Sequence, residues 1–238
     1  MTTIAVLDTE TTGFQKPVLP VQVCLIELEG DDPREFQVGE VWTRTFNPGR
    51  PIEYGAMSTH YVSNEVAATY EPWDPAFLPA VDMFIGHSID YDWEAVGSPA
   101  DVRRICTYAM AKRAWPDLDS HKQGAVLIHL LGAEAAIPLL QSAHQAEVDA
   151  TNNMELVRAL AKEWDIATWD EFYDLSETCR MPQTMQFGKY GPDKAKNYAG
   201  MPLEEMVAKD ASYTKWVLSL DDLDPYLRRA IMNVKEGL

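Results

Sequence analysis

The chain has 238 residues, 46% hydrophobic and 24% charged, enough for one well-buried domain or one domain with a small appendage. No apolar run approaches the roughly 20 residues of a membrane helix. Met1-Thr2-Thr3-Ile4 sets no basic segment ahead of an apolar one, so neither a membrane span nor a secretion signal is expected. Three widely spaced cysteines, Cys24, Cys106 and Cys179, exclude a disulfide framework and a zinc cluster and suit a reducing, cytoplasmic setting. A net charge of −17 argues against tight phosphate binding by Lys and Arg alone. It leaves open a site in which cations stand between carboxylates and a phosphate.

In chain order, Thr3–Thr9 is short, apolar and β-prone and predicts a buried strand. Val21–Glu29 and Val38–Phe46 predict two more, so the chain opens as a β-meander. Asn47-Pro48-Gly49-Arg50-Pro51 ends it. Short helices are expected over Ser63–Tyr70, with Ser63 as N-cap, and over Pro75–Val81. Met83–Gly86 and Val102–Cys106 predict short strands; Tyr91–Val96, Tyr108–Ala114 and Lys122–Leu131 predict helices. The clearest helix is Val148–Trp164, where Leu156, Leu160 and Trp164 recur at every fourth position. Strands first, then strands alternating with helices, predict an α/β domain with a mixed sheet over residues 1–175. Helices over Glu204–Leu220 and Asp224–Val234, the second opened by Asp224-Pro225, predict a small C-terminal module over residues 180–238.

Three segments carry the candidate chemistry. Asp8-Thr9-Glu10 ends the first strand, and side chains at i and i+2 share one face, so Asp8 and Glu10 converge. Two carboxylates on a buried strand are costly unless neutralised, and a hard cation with oxygen ligands, Mg²⁺ or Mn²⁺, would do so. A pair of solvent-facing acids accounts for that triplet, taken alone, equally well. The small, hydroxyl-rich Thr11-Thr12-Gly13 follows. Gly86-His87-Ser88-Ile89-Asp90-Tyr91-Asp92 opens a helix after a short strand. Asp92 is the better ligand candidate there, and Asp90 the expected helix cap. Finally, Asp149 falls in the first turn of the long helix, where the dipole favours an anion. His144 belongs to the incoming loop, and Glu147 is expected to be a solvated first-turn acid.

Together the three segments resemble the DEDDh exonucleases, the superfamily of the polymerase proofreading subunit and ribonuclease T. The exodeoxyribonuclease X branch is the more similar one. Ile105-Cys106-Thr107, Ala111–Pro116, Ala56-Met57-Ser58-Thr59-His60, Phe187-Gly188-Lys189-Tyr190 and Tyr213-x-x-Trp216 extend the likeness over most of the chain. The resemblance implies a ribonuclease H-like mixed β-sheet flanked by helices. It implies Asp8, Glu10, Asp92 and Asp149 as metal ligands and His144 as general base. Thr11, Thr12 and Gly13 would approach the terminal nucleotide, and Met57, His60 and Tyr91 would pack against its base or sugar. Gln22 stands where relatives often carry Glu, Ser88 replaces the usual Asn, and Tyr91 the usual Phe.

The implied reaction is hydrolysis of DNA from a 3′ end, single-stranded, frayed or duplex, releasing nucleoside 5′-monophosphates with two Mg²⁺ or Mn²⁺ ions. Trimming of RNA or oligonucleotides is the alternative enzyme, and an inactive binding module the non-enzymatic one. The C-terminal module could add a homodimer contact or dock on a partner.

Overall fold

The computed structural model describes residues 2–141, 145–188 and 197–237. Three strands come first: β1 (Ile4–Thr11), β2 (Pro20–Glu29) and β3 (Gln37–Thr45). Two short helices, α1 (Tyr54–His60) and α2 (Asn64–Ala67), and a 3₁₀ turn over Pro75–Phe77 lead to β4 (Met83–Gly86). Then follow α3 (Ile89–Ala95), β5 (Arg103–Cys106), α4 (Thr107–Ala114), α5 (Gln123–Leu131), α6 (Ala133–Leu140), α7 (Ala146–Glu163) and α8 (Trp169–Arg180). The described chain ends with α9 (Leu203–Lys209), α10 (Ala211–Leu218) and α11 (Pro225–Glu236). By its internal contacts the chain divides into two compact units, Met1–Ser176 and Glu177–Leu238.

The first unit is built on a five-stranded mixed sheet in the order β3-β2-β1-β4-β5. β1 is central, antiparallel to β2 and parallel to β4. Ile4, Ala5, Val6 and Leu7 are all buried, because both faces of this strand are covered. On one face Ala5 and Leu7 pack with Val23, Leu25, Phe46, Phe84 and Ile89. The other face receives α7, whose buried Leu156, Val157, Leu160 and Ala161 form its apolar stripe. The parallel strands β4 and β5 are only four residues each. The sheet therefore ends early there, and the loop after β4 opens beside the acidic end of β1.

In the second unit, α9, α10 and α11 enclose a core of Leu203, Met206, Tyr213, Val217, Leu227 and Ile231. The predicted helix over Glu204–Leu220 is two helices, broken at Asp210. Asp210 accepts from the Tyr213 amide at 2.9 Å and from the Tyr198 hydroxyl at 2.6 Å, so this side chain starts α10 rather than continuing α9. The caps expected at Ser63 and Asp224 are present, the latter followed by Pro225 at the first helical position. The acid excess is confined to the first unit. Residues 1–176 hold 28 Asp and Glu against 11 Lys and Arg, while residues 177–238 hold nine of each.

Candidate active site

β1 runs from a fully apolar half into Asp8-Thr9-Glu10-Thr11, and the pleat turns Asp8 and Glu10 to the side of the sheet covered by α7. Asp149 sits in the first turn of α7. One carboxylate oxygen from each of Asp8, Glu10 and Asp149 lies within 4.8 Å of the other two. The helix start is fixed by Gln22 on β2, opposite Glu10 in the ladder, whose Oε1 accepts from the Ala146 amide at 2.9 Å. The fourth acid, Asp92, comes from α3 and is buried. Its Oδ1 accepts from the Thr9 amide at 3.0 Å and from the Thr9 hydroxyl at 2.7 Å, which ties α3 to β1 between the two strand acids.

Asp90 does not cap α3. The N-cap is Ser88, in a left-handed conformation and without a side-chain bond, and Asp90 instead pairs with Arg104 on β5. Glu147 is exposed, as expected of a first-turn acid, and accepts from the Thr43 hydroxyl at 3.0 Å. His144 lies outside the described residues.

The acids perturb one another. Burial, then Asp92, Asp149 and Glu10, holds the Asp8 carboxyl well above the usual carboxylate range. Burial, then Asp149 and Asp92, pushes Glu10 up to about 8. Asp92 is raised to about 7 by burial and by Asp149, against the pull of the two Thr9 bonds. A group of acids that resists ionisation when it has only itself for company needs positive charge to become fully anionic. The donor set is all oxygen, which suits a hard cation such as Mg²⁺ or Mn²⁺. His87, beside this group in sequence, is not part of it. Its Nε2 donates to the His121 carbonyl at 2.8 Å, and burial lowers its pKa to about 4, so it stays neutral.

A cavity of about 340 Å³ opens beside the acids, lined by Glu10, Thr11, Gly13, Phe14, Glu53, Ala56, Thr59, His60 and Tyr91 among others. The Tyr91 hydroxyl donates to the Gly13 carbonyl at 3.0 Å and meets the Thr11 hydroxyl at 2.6 Å. The Tyr91 hydroxyl thus fastens the loop after β1. His60 is buried with Nε2 3.2 Å from the Thr11 carbonyl. Gly13 has φ +121°, and a Cβ there would collide with the Glu53 carboxylate, so this position requires glycine.

Thr12 and Met57 do not line the cavity. The Thr12 amide donates to the Leu19 carbonyl at 3.0 Å, and Met57 packs with Val21, Ile52 and Ala67. Sequence reasoning missed Phe14, 84% exposed with its ring 5.7 Å from that of Tyr91; a large apolar side chain directly after a glycine loop was its only signal. It also missed Glu53 and Gln123, whose partners are distant in sequence. Glu53 accepts from the Gln15 amide at 3.0 Å, and Gln123 donates to Asp149.

A scan of protein-family models finds none that matches the chain, and a sequence search of curated proteins finds no match. The fold does have solved counterparts. Exonuclease X in complex with 5′-overhanging duplex DNA superposes with a TM-score of 0.55 and 19% identity, over 73% of this chain and 99% of that one. Exonuclease I of E. coli with a dA16 oligonucleotide gives 0.53 and 17%, over 77% of this chain. The same enzyme with dT13 gives 0.55 and 16%, over 79%. The chain spans 44% and 47% of the length of those two Exonuclease I chains. The fold is the ribonuclease H-like one of these exonucleases: a mixed five-stranded sheet flanked by helices. Among the described residues no helix is long and apolar enough to cross a membrane.

Proposed function

We propose that the chain is a divalent-metal-dependent 3′→5′ exonuclease of the DEDDh type that removes nucleoside 5′-monophosphates from DNA. The observation that carries this reading is the convergence of Asp8, Glu10 and Asp149 within 4.8 Å, with Asp92 bonded to the residue between the two strand acids. A fold shared with exonucleases whose structures hold DNA supports the substrate class.

In this reading Asp8, Glu10, Asp92 and Asp149 hold two Mg²⁺ or Mn²⁺ ions. Such ions supply a nucleophile at neutral pH and stabilise charge on the leaving 3′-oxygen. His144 takes the proton of the attacking water, work suited to an imidazole with a pKa near 6.5. Thr11 and Gly13, held by the Tyr91 hydroxyl, and the α1 side chains Ala56, Thr59 and His60 receive the terminal nucleotide. Phe14 offers an exposed ring for a base to stack on.

The test is hydrolysis of 5′-labelled single- and double-stranded DNA, with RNA in parallel, in Mg²⁺, Mn²⁺ or EDTA. The expected result is a ladder shortening from the 3′ end of DNA, abolished by EDTA. Cleavage that ignores EDTA would overturn the metal reading, and preferential shortening of RNA would overturn the substrate.

A further inference from the structure

We propose that Gln123 is a positioning residue: its side-chain amide fixes the Asp149 carboxylate and thereby sets how tightly the acid group holds a divalent cation. The inference rests on the reading of Asp8, Glu10 and Asp149 as cation ligands.

Gln123 is the first residue of α5, which packs against α7. Its Nε2 donates to the Asp149 main-chain carbonyl at 2.9 Å and stands 3.5 Å from Asp149 Oδ1. An amide nitrogen carries two hydrogens, so one group reaches both acceptors. The shorter bond anchors the amide to the helix backbone. The second hydrogen is then held in a fixed place against the carboxylate, whose terminal torsion is otherwise broad.

The residue type fits this task. Gln123 shares its helix face with Val126 and Leu127, three and four residues on, both fully buried. The rest of α5, Gly124-Ala125-Val126-Leu127-Ile128-His129-Leu130-Leu131, is mainly apolar, so a glutamine on the inward stripe is the exception. Lys or Arg in its place would neutralise Asp149 and compete with a cation. Glu would add a like charge to acids that already raise one another's pKa. A hydrocarbon would fill the space and remove the donor. Glutamine donates without bringing charge. Gln22 does the complementary task for the main chain at Ala146, so two uncharged amides from different elements fix the first turn of α7.

Partners that orient metal-binding groups are worth roughly 10–100-fold in metal affinity. The experiment is calorimetric titration of the full chain with Mn²⁺, for wild type, Gln123→Leu, Gln123→Met and Asp149→Ala, with melting curves of each in EDTA. Gln123→Leu is expected to weaken Mn²⁺ binding about tenfold. Its EDTA melting temperature should stay near wild type, which a purely structural role would not allow together with lost affinity. Gln123→Met, likewise without a donor or a charge, is expected to weaken Mn²⁺ binding by a similar factor. In cleavage assays the Mn²⁺ requirement of both variants should rise in step. Mn²⁺ affinity of Gln123→Leu within about twofold of wild type would overturn the proposal. Should that variant fail to fold, Gln123→Met, equally without a donor, decides the matter. A wild-type chain that takes up Mn²⁺ only as well as Asp149→Ala does would overturn the ligand reading, and this proposal with it.

Discussion

The first unit uses aspartate in two opposite ways. Around Arg34, at the turn between β2 and β3, Asp32 and Asp165 each face one guanidinium, at 2.7 and 2.6 Å. Asp170 faces Arg103 at 2.6 Å, and Asp90 faces Arg104. Bonds from Arg34 hold the Asp32 carboxyl below the usual range. At the other end of β1, Asp8, Glu10 and Asp149 converge, Asp92 is bonded to Thr9 between the two strand acids, and three of the four are pushed upward. The paired acids are in their most favourable state as they stand. The bunched acids are not, and a fold that keeps them together does so at a cost in stability. Such a cost points to a site, because perturbed carboxylates in a cleft accompany chemistry more often than packing.

Removing one acid from each group sharpens the contrast most. Asp8→Ala and Asp149→Ala are expected to reduce Mg²⁺-dependent DNA cleavage to background while the circular dichroism spectrum is retained. Asp165→Ala and Asp170→Ala should cleave like wild type. A bunched-acid variant with full activity, or a paired-acid variant without any, would erase the distinction. Next in size is His144→Ala, expected to slow turnover roughly 10²–10⁴-fold, the usual worth of a general base. Undiminished single-turnover rates would reassign the proton transfer.

Much of this was legible in the sequence because local pattern carried it. The apolar run into Asp8-Thr9-Glu10 marks a buried strand with an acidic end, and the fourfold spacing of Leu156 and Leu160 marks α7. Three helices were not read, each for a physical reason. α6 contains Pro138, which argues against a helix interior. α8 mixes four acids among few apolar residues, and α1 is seven residues long with a glycine in its first turn. Register in the sheet brings Gln22 beside Glu10, and helix packing brings Gln123 to Asp149 across 26 positions. No local pattern encodes either contact. Asp90 and Asp92 show the limit most plainly: two residues apart on one helix, one joins the bunched acids and the other an arginine.

The two groups should also respond to pH in opposite senses. A carboxylate whose pKa is raised by folding stabilises the native chain below its unfolded value, and that contribution is lost as pH rises through the folded value. For Glu10 the window runs from 4.5 to about 8, and Asp92 and Asp8 add to it in the same direction. In EDTA the melting temperature is therefore expected to fall across this range, and Mg²⁺ to remove much of the fall. Asp8→Asn should flatten the slope and stabilise the metal-free chain at its alkaline end by roughly 1–3 kcal/mol. A slope unchanged by Asp8→Asn would mean that the crowding is relieved in solution. Asp32 runs the other way: its depressed pKa contributes stability at neutral pH that is lost only as pH falls through that low value. Because this pair is solvated, Arg34→Ala is expected to leave the neutral-pH melting temperature within measurement error. It should still move the Asp32 titration, followed by carboxyl NMR shifts, back toward the usual range. A large loss of stability in Arg34→Ala would show that the paired acids, too, do more than balance a surface charge.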